Sequence, residues 1–444
     1  MHLVAGLGLT GLSVLRYFDR LGEACFGFDT RADFDLSGIQ AEFPDGQFAV
    51  GSLPPTWVKK IDAIVLSPGI AKSEPWVLEL IQQGIEVIGD IELFARTVGQ
   101  PIIGITGSNG KSTVTTLVTE VLTQAGYQVG MGGNIGTPAL DLLASDQPEY
   151  QVFVLELSSF QLETTYSMHT IASTILNLSE DHMDRYAGLE DYLQAKMNIF
   201  NHTELAVLPS NFPSHVFVQA PKLVRFGDGS PNGVMHLDGE DWLVFEQQKI
   251  IKVSDMALQA EHHYMNALAT IALCSVFGIE TSVYQTVFSC FKGLPHRTQL
   301  VAQQDGVSWI NDSKGTNVGA TVTAIQSMGK SANGKVILLA GGVGKDADFS
   351  DLAPVMQTYG RHSILFGRDQ NLIAQALSST PYTCVEDLSQ ALKLAKSLAL
   401  PGDVVLFSPA CASFDQFKNY AHRGQVFEAS VIELLQNCHL QVSA

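Results

Sequence analysis

Positive charge is scarce in this chain: 26 Lys and Arg stand against 45 Asp and Glu, a formal net charge of -19 over 444 residues. A surface of that balance argues against tracking a nucleic-acid backbone, although an anionic small molecule needs only a local cluster of donors. The six cysteines, Cys25, Cys274, Cys290, Cys384, Cys411 and Cys438, are dispersed without a CxxC pair, which indicates neither a zinc knuckle nor a disulfide framework. No uncharged apolar run reaches the roughly 18 residues that a membrane span requires. Arg16, Asp19 and Arg20 interrupt the apolar character of the first segment, which shows neither a basic n-region nor a cleavage motif, so no secretory signal is expected in it. GxSxG and HExxH are also absent, so a serine hydrolase or a zinc protease finds no support. These absences lead us to expect a cytoplasmic protein with no nucleic-acid partner and no membrane partner.

What is present is apolar: 46% of residues are hydrophobic and 16% charged, enough to bury sizeable cores. At about 150 residues per domain, the length suggests two or three domains. The most informative stretch is Ile102-Ile103-Gly104-Ile105-Thr106-Gly107-Ser108-Asn109-Gly110-Lys111-Ser112-Thr113. A β-branched run meets a Gly-rich turn, followed by a lysine and two hydroxyls that open an amphipathic segment. Glycines let successive N–H groups point at an anion, and the helix that follows presents its positive end. Lys111 adds a point charge, and Ser112 is placed to reach a phosphate-bound magnesium ion. The spacing departs from the usual P-loop, because Ile105 stands where a Gly is required five residues before Gly110. The stretch reads as a nucleoside-triphosphate site.

Around it, short apolar strands alternate with helical patterns. Leu3-Val4-Ala5 leads into Gly6-Leu7-Gly8-Leu9-Thr10-Gly11, and a second strand ends at Asp29-Thr30-Arg31. This GxGxxG with a following acidic residue fits a dinucleotide site, or glycines that only tighten a βα turn, or another nucleotide ligand held by Thr30 and Arg31. Ile61 to Leu66 runs into the loop Ser67-Pro68-Gly69-Ile70. Farther on, Gln151 to Ser159 reads as a buried parallel strand carrying Glu156, a magnesium-ligand candidate or one half of an ion pair. Ile171 to Leu176 delivers Asn177, Ser179, Glu180, Asp181, His182, Asp184 and Arg185 into one loop, and Lys196 lies on the helix after it. Residues 205–253, including Val216-Phe217-Val218 and Trp242-Leu243-Val244-Phe245, suggest an antiparallel excursion. A helical pattern from His262 to Phe277 carries Asn266. Gly293-Leu294-Pro295 punctuates a boundary, Asp305-Gly306 signals a hairpin, and residues 335–408 return to βα alternation. Phosphoryl transfer is mostly positioning and charge neutralisation, so the residues support a magnesium-dependent enzyme using a nucleoside triphosphate. They do not choose among ligase, kinase and ATPase.

Thr106-Gly107-Ser108-Asn109-Gly110-Lys111-Ser112 resembles the P-loop variant of the Mur ligase family, which also includes folylpolyglutamate synthases. The resemblance extends to Gly132-Gly133-Asn134-Ile135-Gly136, to Glu156 through Leu162, and to Asn177 through Arg185. It continues with Gly293-Leu294-Pro295-His296-Arg297, Asn311 through Asn317, and Ser408 through Phe417 followed by Arg423-Gly424. The C-terminal form is that of the D-glutamate-adding branch.

The resemblance implies an α/β chain of three domains. These are an N-terminal Rossmann-like UDP-binding domain over residues 1–89, a central P-loop ATPase-type domain over 90–293, and a C-terminal Rossmann-like D-glutamate-binding domain over 294–444. It implies that ATP phosphorylates the terminal carboxylate of UDP-N-acetylmuramoyl-L-alanine and that the amine of D-glutamate attacks. A tetrahedral intermediate then collapses to amide, ADP and phosphate. Gly107, Ser108, Asn109, Gly110, Lys111, Ser112 and Thr113 would hold ATP, joined by Asn266, Arg297 and Asp312. Of two Mg2+ sites, one would use Ser112 and Glu156, the other His182 and a carbamylated Lys196. By the same resemblance, Lys111, His182 and Lys196 would carry the catalytic roles. Thr30 and Arg31 would hold the UDP end, and Asn134 and Ser159 the muramoyl part. Lys314, Thr316, Lys345, Ser408 and Phe414 would take D-glutamate. A monomer without NAD is implied. The alternatives are another amino-acid-adding Mur ligase, a folylpolyglutamate synthase, or a nucleotide-binding module that does not turn over.

Overall fold

In the computed structural model, which describes residues 1–213, 216 and 218–440, the chain is α/β and built on parallel sheets. The first sheet contains β1 (His2–Ala5), β2 (Cys25–Asp29), β3 (Gln47–Val50), β4 (Ala63–Leu66) and β5 (Glu86–Ile88), all parallel, in the order β3-β2-β1-β4-β5. The order reverses between β1 and β4, so a crevice opens beyond their C-terminal ends, where open α/β sheets take ligands. Gly6 and Ser67 face each other there, with the Ser67 hydroxyl donating to the Gly6 carbonyl at 2.7 Å.

The glycines of the first turn have separate reasons. Gly6 adopts φ 87°, open to glycine at little cost. Gly11 lies in the helix Leu9–Leu21, and a Cβ on it would sit 1.9 Å from the Gly6 carbonyl oxygen. At Gly8 a Cβ would meet nothing within 4 Å, so the helix start faces open space.

The second sheet contains β6 (Ile102–Thr106), β7 (Val129–Gly133), β8 (Val152–Glu156), β9 (Ala172–Ile175), β10 (Leu205–Pro209) and β11 (Lys222–Phe226). Its order is β11-β10-β9-β6-β8-β7, again all parallel. Every residue of β6, β8, β9 and β10 is buried, which is why these segments carry little alternation.

The antiparallel excursion expected over residues 205–253 is smaller than that. Its first part, β10 and β11, extends the parallel sheet. Only β12 (Gly233–Leu237), β13 (Glu240–Phe245) and β14 (Gln248–Lys252) form an antiparallel sheet. The reason is burial: Leu205–Pro209 is covered on both faces, whereas β12 alternates between covered and exposed positions. Trp242 to Phe245 lies in β13 as expected, and Phe217 of Val216-Phe217-Val218 lies outside the described residues.

The last sheet contains β15 (Gln299–Gln304), β16 (Val307–Asn311), β17 (Val336–Gly341), β18 (Gly360–Phe366), β19 (Tyr382–Cys384) and β20 (Val404–Phe407), in the order β15-β16-β20-β17-β18-β19. Only β15 is antiparallel to its neighbour. Asp305 and Gly306, at φ 54° and 76°, make the two-residue hairpin turn before β16.

The chain divides into two compact units. The first comprises Met1–Leu178, Glu190–Gln259 and His263–Phe291; the second comprises Ser179–Leu189, Ala260–His262 and the chain from Lys292 onward. Within the first, one apolar core runs from Val4, Leu15, Phe18 and Ile88 through Phe94 to Phe153, Leu155 and Ile175. The first two sheets therefore share a core. In the second unit, separate cores cover the two faces of the last sheet. Among the described residues no helix is long and apolar enough to cross a membrane.

The crowding at Gly11 makes a test. Gly11→Ala should cost about 2 kcal/mol of stability by overpacking against backbone, whereas Gly8→Ala, which only replaces a glycine N-cap, should cost about 0.5–1 kcal/mol. Urea unfolding midpoints of the two variants measure the contrast; equal midpoints would contradict the packing described.

Candidate active site

In the first unit, β6 ends at Thr106 and the chain turns through Gly107 (φ 148°) and Gly110 (φ 83°) into the helix Lys111–Gln124. A Cβ at Gly110 would lie 2.7 Å from Asn266 Oδ1, so Asn266, on the helix Glu261–Cys274, packs directly against the loop. Lys111 Nζ donates to the carbonyls of Gly107 and Ser108, both at 2.9 Å. Lys196, fully buried on the helix Leu189–Met197, donates to the same Gly107 carbonyl at 3.0 Å and lies 4.3 Å from the centre of the Tyr192 ring. Two lysine amines thus converge on one carbonyl oxygen.

Asn177 braces the loop from the end of β9. Its backbone carbonyl takes the Ser108 amide at 3.1 Å, its Oδ1 takes the Asn109 amide at 2.8 Å, and its Nδ2 donates to the Asn109 carbonyl at 2.9 Å. Sequence reading placed Asn177 in a polar loop without a role; the signal was its position directly after a buried strand.

Glu156, the last residue of β8, pairs in register with Ile105 and so stands beside the start of the loop. Gly133 (φ 98°) carries the chain so close that a Cβ there would meet the Glu156 carbonyl at 2.4 Å. Asn134 follows, its amide donating to the Glu156 carbonyl and its Nδ2 to Glu156 Oε1, each at 2.8 Å. Ser158 then caps the short helix Ser159–Leu162. Buried Ser112 and Glu156 supply hard oxygen donors of the type Mg2+ accepts. Among the described residues no group of three or more His, Cys, Asp or Glu forms a metal cage.

At the crevice of the first sheet, Asp29 is buried and both its oxygens are taken. Oδ1 accepts from Arg31 N at 3.1 Å and Nε at 2.8 Å, and Oδ2 accepts from Arg31 Nη2 at 2.9 Å and Leu7 N at 2.8 Å. Burial works to raise this carboxyl, yet the bonds from Arg31 and Leu7 hold it below the usual carboxylate range. Arg31 itself is largely exposed and lies over Phe34 at 4.3 Å, beside exposed Thr30.

The second unit gathers most of the remaining candidates. Asp181 Oδ1 pairs with Lys345 Nζ at 2.7 Å; its Oδ2 accepts from Asn317 Nδ2 at 3.3 Å and lies 3.7 Å from His182 Nε2. Asn317 also caps the helix Val318–Ser331. Asp312, just past β16, accepts from the Ser408 hydroxyl at 2.6 Å and from the Thr298 amide at 3.1 Å. Ser408 is wholly buried and also bonds Thr321 Oγ1 at 3.0 Å, so it and Asp312 act as a pair. Burial pushes the Asp312 carboxyl up to about 6, against the pull of Ser408, Thr298, Arg297 and Arg423. Lys314 lies 4.1 Å from the centre of the Tyr420 ring, Thr316 is half-buried and Phe414 is 74% exposed.

Arg423 is a further residue to which sequence reading gave no role, although Arg423-Gly424 stood out as a motif. Fully buried, it donates to Ser313 Oγ (3.0 Å), the Ser313 carbonyl (2.8 Å) and the Cys411 carbonyl (3.1 Å), tying the loops after β16 and β20 together. Burial lowers its guanidinium to about 10.

A Gly-rich loop that leads from a buried strand into a helix N-terminus, with a lysine at its end, is an arrangement suited to binding phosphate. Family models match most of the chain: the Mur ligase MurD-like N-terminal domain over residues 1–89, the Mur ligase middle domain over 105–274 and the Mur ligase glutamate ligase domain over 296–411. The chain belongs to the Mur ligase family.

Its curated relatives include the UDP-N-acetylmuramoylalanine–D-glutamate ligase of Hydrogenovibrio crunogenus, 59% identical over 98% of this chain and 99% of that one. The proteins of the same name from Alcanivorax borkumensis and Pseudomonas aeruginosa are 45% and 42% identical, each over 98% of both chains. Among solved structures, the UDP-N-acetylmuramate-alanine ligase MurC of Thermotoga maritima superposes with a TM-score of 0.60 at 16% identity, over 98% of this chain and 99% of that one. The MurF ligase of Thermotoga maritima in complex with ADP gives 0.62 at 16%, over 97% and 95%. These two likenesses establish the Mur ligase fold.

The raised Asp312 carboxyl has a sign that can be checked. Its folded pKa lies above its unfolded one, so its stabilising share is present at acid pH and lost as pH rises through about 6. Asp312→Asn should therefore gain about 2 kcal/mol over the parent at pH 7.5 and lose that gain by pH 4. Urea unfolding at matched pH measures the difference, and a pH-independent difference would contradict it.

Proposed function

We propose that the chain is an ATP-dependent amide ligase that adds D-glutamate to UDP-N-acetylmuramoyl-L-alanine in cytoplasmic peptidoglycan precursor synthesis. The observation that carries this reading is its 59% identity, over essentially both full lengths, to a UDP-N-acetylmuramoylalanine–D-glutamate ligase. In this reading residues 1–89 hold the UDP-sugar, 90–293 hold ATP, and 294–444 hold D-glutamate, in a protein that works as a monomer.

The mechanism follows from what the residues can do. Backbone amides of Gly107 to Thr113 and the Lys111 ammonium bind the β- and γ-phosphates and draw charge away from the γ-phosphorus. Asn266, Arg297 and Asp312 complete the ATP site. Thr30 and Arg31 hold the uracil and phosphate end of the sugar nucleotide, while Asn134 and Ser159 contact its muramoyl part. That carboxylate attacks the γ-phosphorus and ADP leaves, forming the acyl phosphate. Lys314, Thr316, Lys345, Ser408 and Phe414 bind D-glutamate or orient its carboxylates, and its amine attacks the acyl carbon. The tetrahedral intermediate then expels phosphate and leaves the amide.

Ser112 and Glu156 would hold one Mg2+, and His182 and Lys196 a second; when bound, the ions neutralise the phosphate oxygens. A lysine ammonium is a poor metal partner. Lys196 is buried and shares the Gly107 carbonyl with Lys111. A neutral Lys196 amine adds its lone pair to the carbon of CO2 and releases a proton. The resulting carbamate is an anion able to face a cation.

Phosphate release should require ATP, UDP-N-acetylmuramoyl-L-alanine and D-glutamate together. Release with L-lysine or diaminopimelate in place of D-glutamate would reassign the amino-acid substrate. Lys196→Ala should lose activity on the order of 10²-fold or more and regain part of it with a small carboxylic acid. Full activity without rescue would remove Lys196 from the site.

A further inference from the structure

The helix Asp90–Thr97 opens with a carboxylate for which the mechanism above has no use. Asp90 is buried, and its Oδ2 accepts from Gln161 Nε2 at 3.2 Å. Its Oδ1 has no hydrogen-bond partner of good geometry among the described residues. Burial pushes the carboxyl up to about 6, opposed by the Gln161 bond and the amides of Ile91 and Asp90, with no charged group contributing. Glu92, two residues on, is turned elsewhere, to Arg96, the Tyr166 amide and Ser167.

The partner of Asp90 leads to the site. Gln161 closes the capping box of the helix Ser159–Leu162: its Oε1 accepts from the Ser158 amide at 3.1 Å, and Ser158 Oγ accepts from the Gln161 amide at 3.2 Å. A primary amide has one donor end and one acceptor end. With an acceptor at Asp90, the NH2 end of Gln161 must face it, and the carbonyl end is left for Ser158. Turned over, the amide would set oxygen against carboxylate and NH2 against N–H. Asp90 therefore dictates the orientation that closes the cap. The capped turn carries Ser159, three residues after Glu156. Gly89, just before Asp90, anchors the other side: its amide donates to the Thr164 carbonyl at 3.0 Å, and a Cβ on it would lie 2.4 Å from Thr164 Oγ1.

We propose that Asp90 is a positioning residue for substrate binding, which acts through Gln161 to fix the turn presenting Ser159 to the muramoyl substrate. The proposal rests on the ligase reading above. Asp90→Leu should raise KM for UDP-N-acetylmuramoyl-L-alanine about tenfold, the loss of one hydrogen bond's worth of order, and leave KM for ATP and D-glutamate within about twofold. Asp90→Asn, which keeps an acceptor oxygen, should bring that KM back to within about threefold of the parent. Gln161→Met should raise the same KM, and adding it to Asp90→Leu should raise it little further, because both break one chain of bonds. An unchanged KM in Asp90→Leu, equal rises in all three KM values, or additive effects in the double variant would overturn the proposal. Should Asp90→Leu fail to fold, the KM pattern of Gln161→Met decides alone. Turnover of the unmodified enzyme with both substrates, measured alongside, separates failure of the ligase reading from failure of the role given to Asp90.

Discussion

The carbonyl oxygen of Gly107 accepts from two lysines, and much of the first unit is arranged to make that possible. Gly107 itself holds φ 148°, a conformation that L side chains rarely adopt. Asn177 clamps Ser108 and Asn109 from one side, and Asn266 presses on Gly110 from another. Behind them, β6 is buried along its whole length between β8 and β9, so the loop rests on a strand that cannot shift alone. A phosphate-holding loop needs this support, because the lysines gathered on it suit an anion better than each other.

Carboxylates do different work according to what surrounds them. Asp29 is buried yet fully bonded to Arg31 and Leu7, and it stays easily ionised while fixing Arg31 at the mouth of the crevice. Asp312 and Asp90 are buried with fewer donors, and burial wins in both. The same residue type thus serves as a firmly ionised anchor in one place and as a carboxyl raised to about 6 in two others. Desolvation and the number of donors decide between these states.

Much of the architecture was readable in the chain itself. Parallel strands buried on both faces appear as unbroken apolar runs, and β6, β8 and β9 were visible for that reason. The Asp305-Gly306 turn was legible because two adjacent left-handed residues between apolar runs leave few other options. The stretch from 205 to 253 was harder. Leu205–Pro209 lacks any alternation that would distinguish a parallel addition from an antiparallel one, and only its neighbour β9 settles the matter.

The sequence alone determined the chemistry on offer: a Gly-rich loop with Lys111 and Ser112, a strand ending in Glu156, and the motifs that mark the Mur ligase family. These are local, since a turn needs its glycines and a buried strand its apolar residues wherever the chain goes next. The tertiary structure decided which groups meet. Asn177 against Asn109, Lys196 against Gly107, Asp312 against Ser408 and Asp90 against Gln161 are separated by 68, 89, 96 and 71 positions. No local pattern encodes such pairings. They arise because burial removes water from each polar group and leaves it bonded only to what the fold has brought within reach.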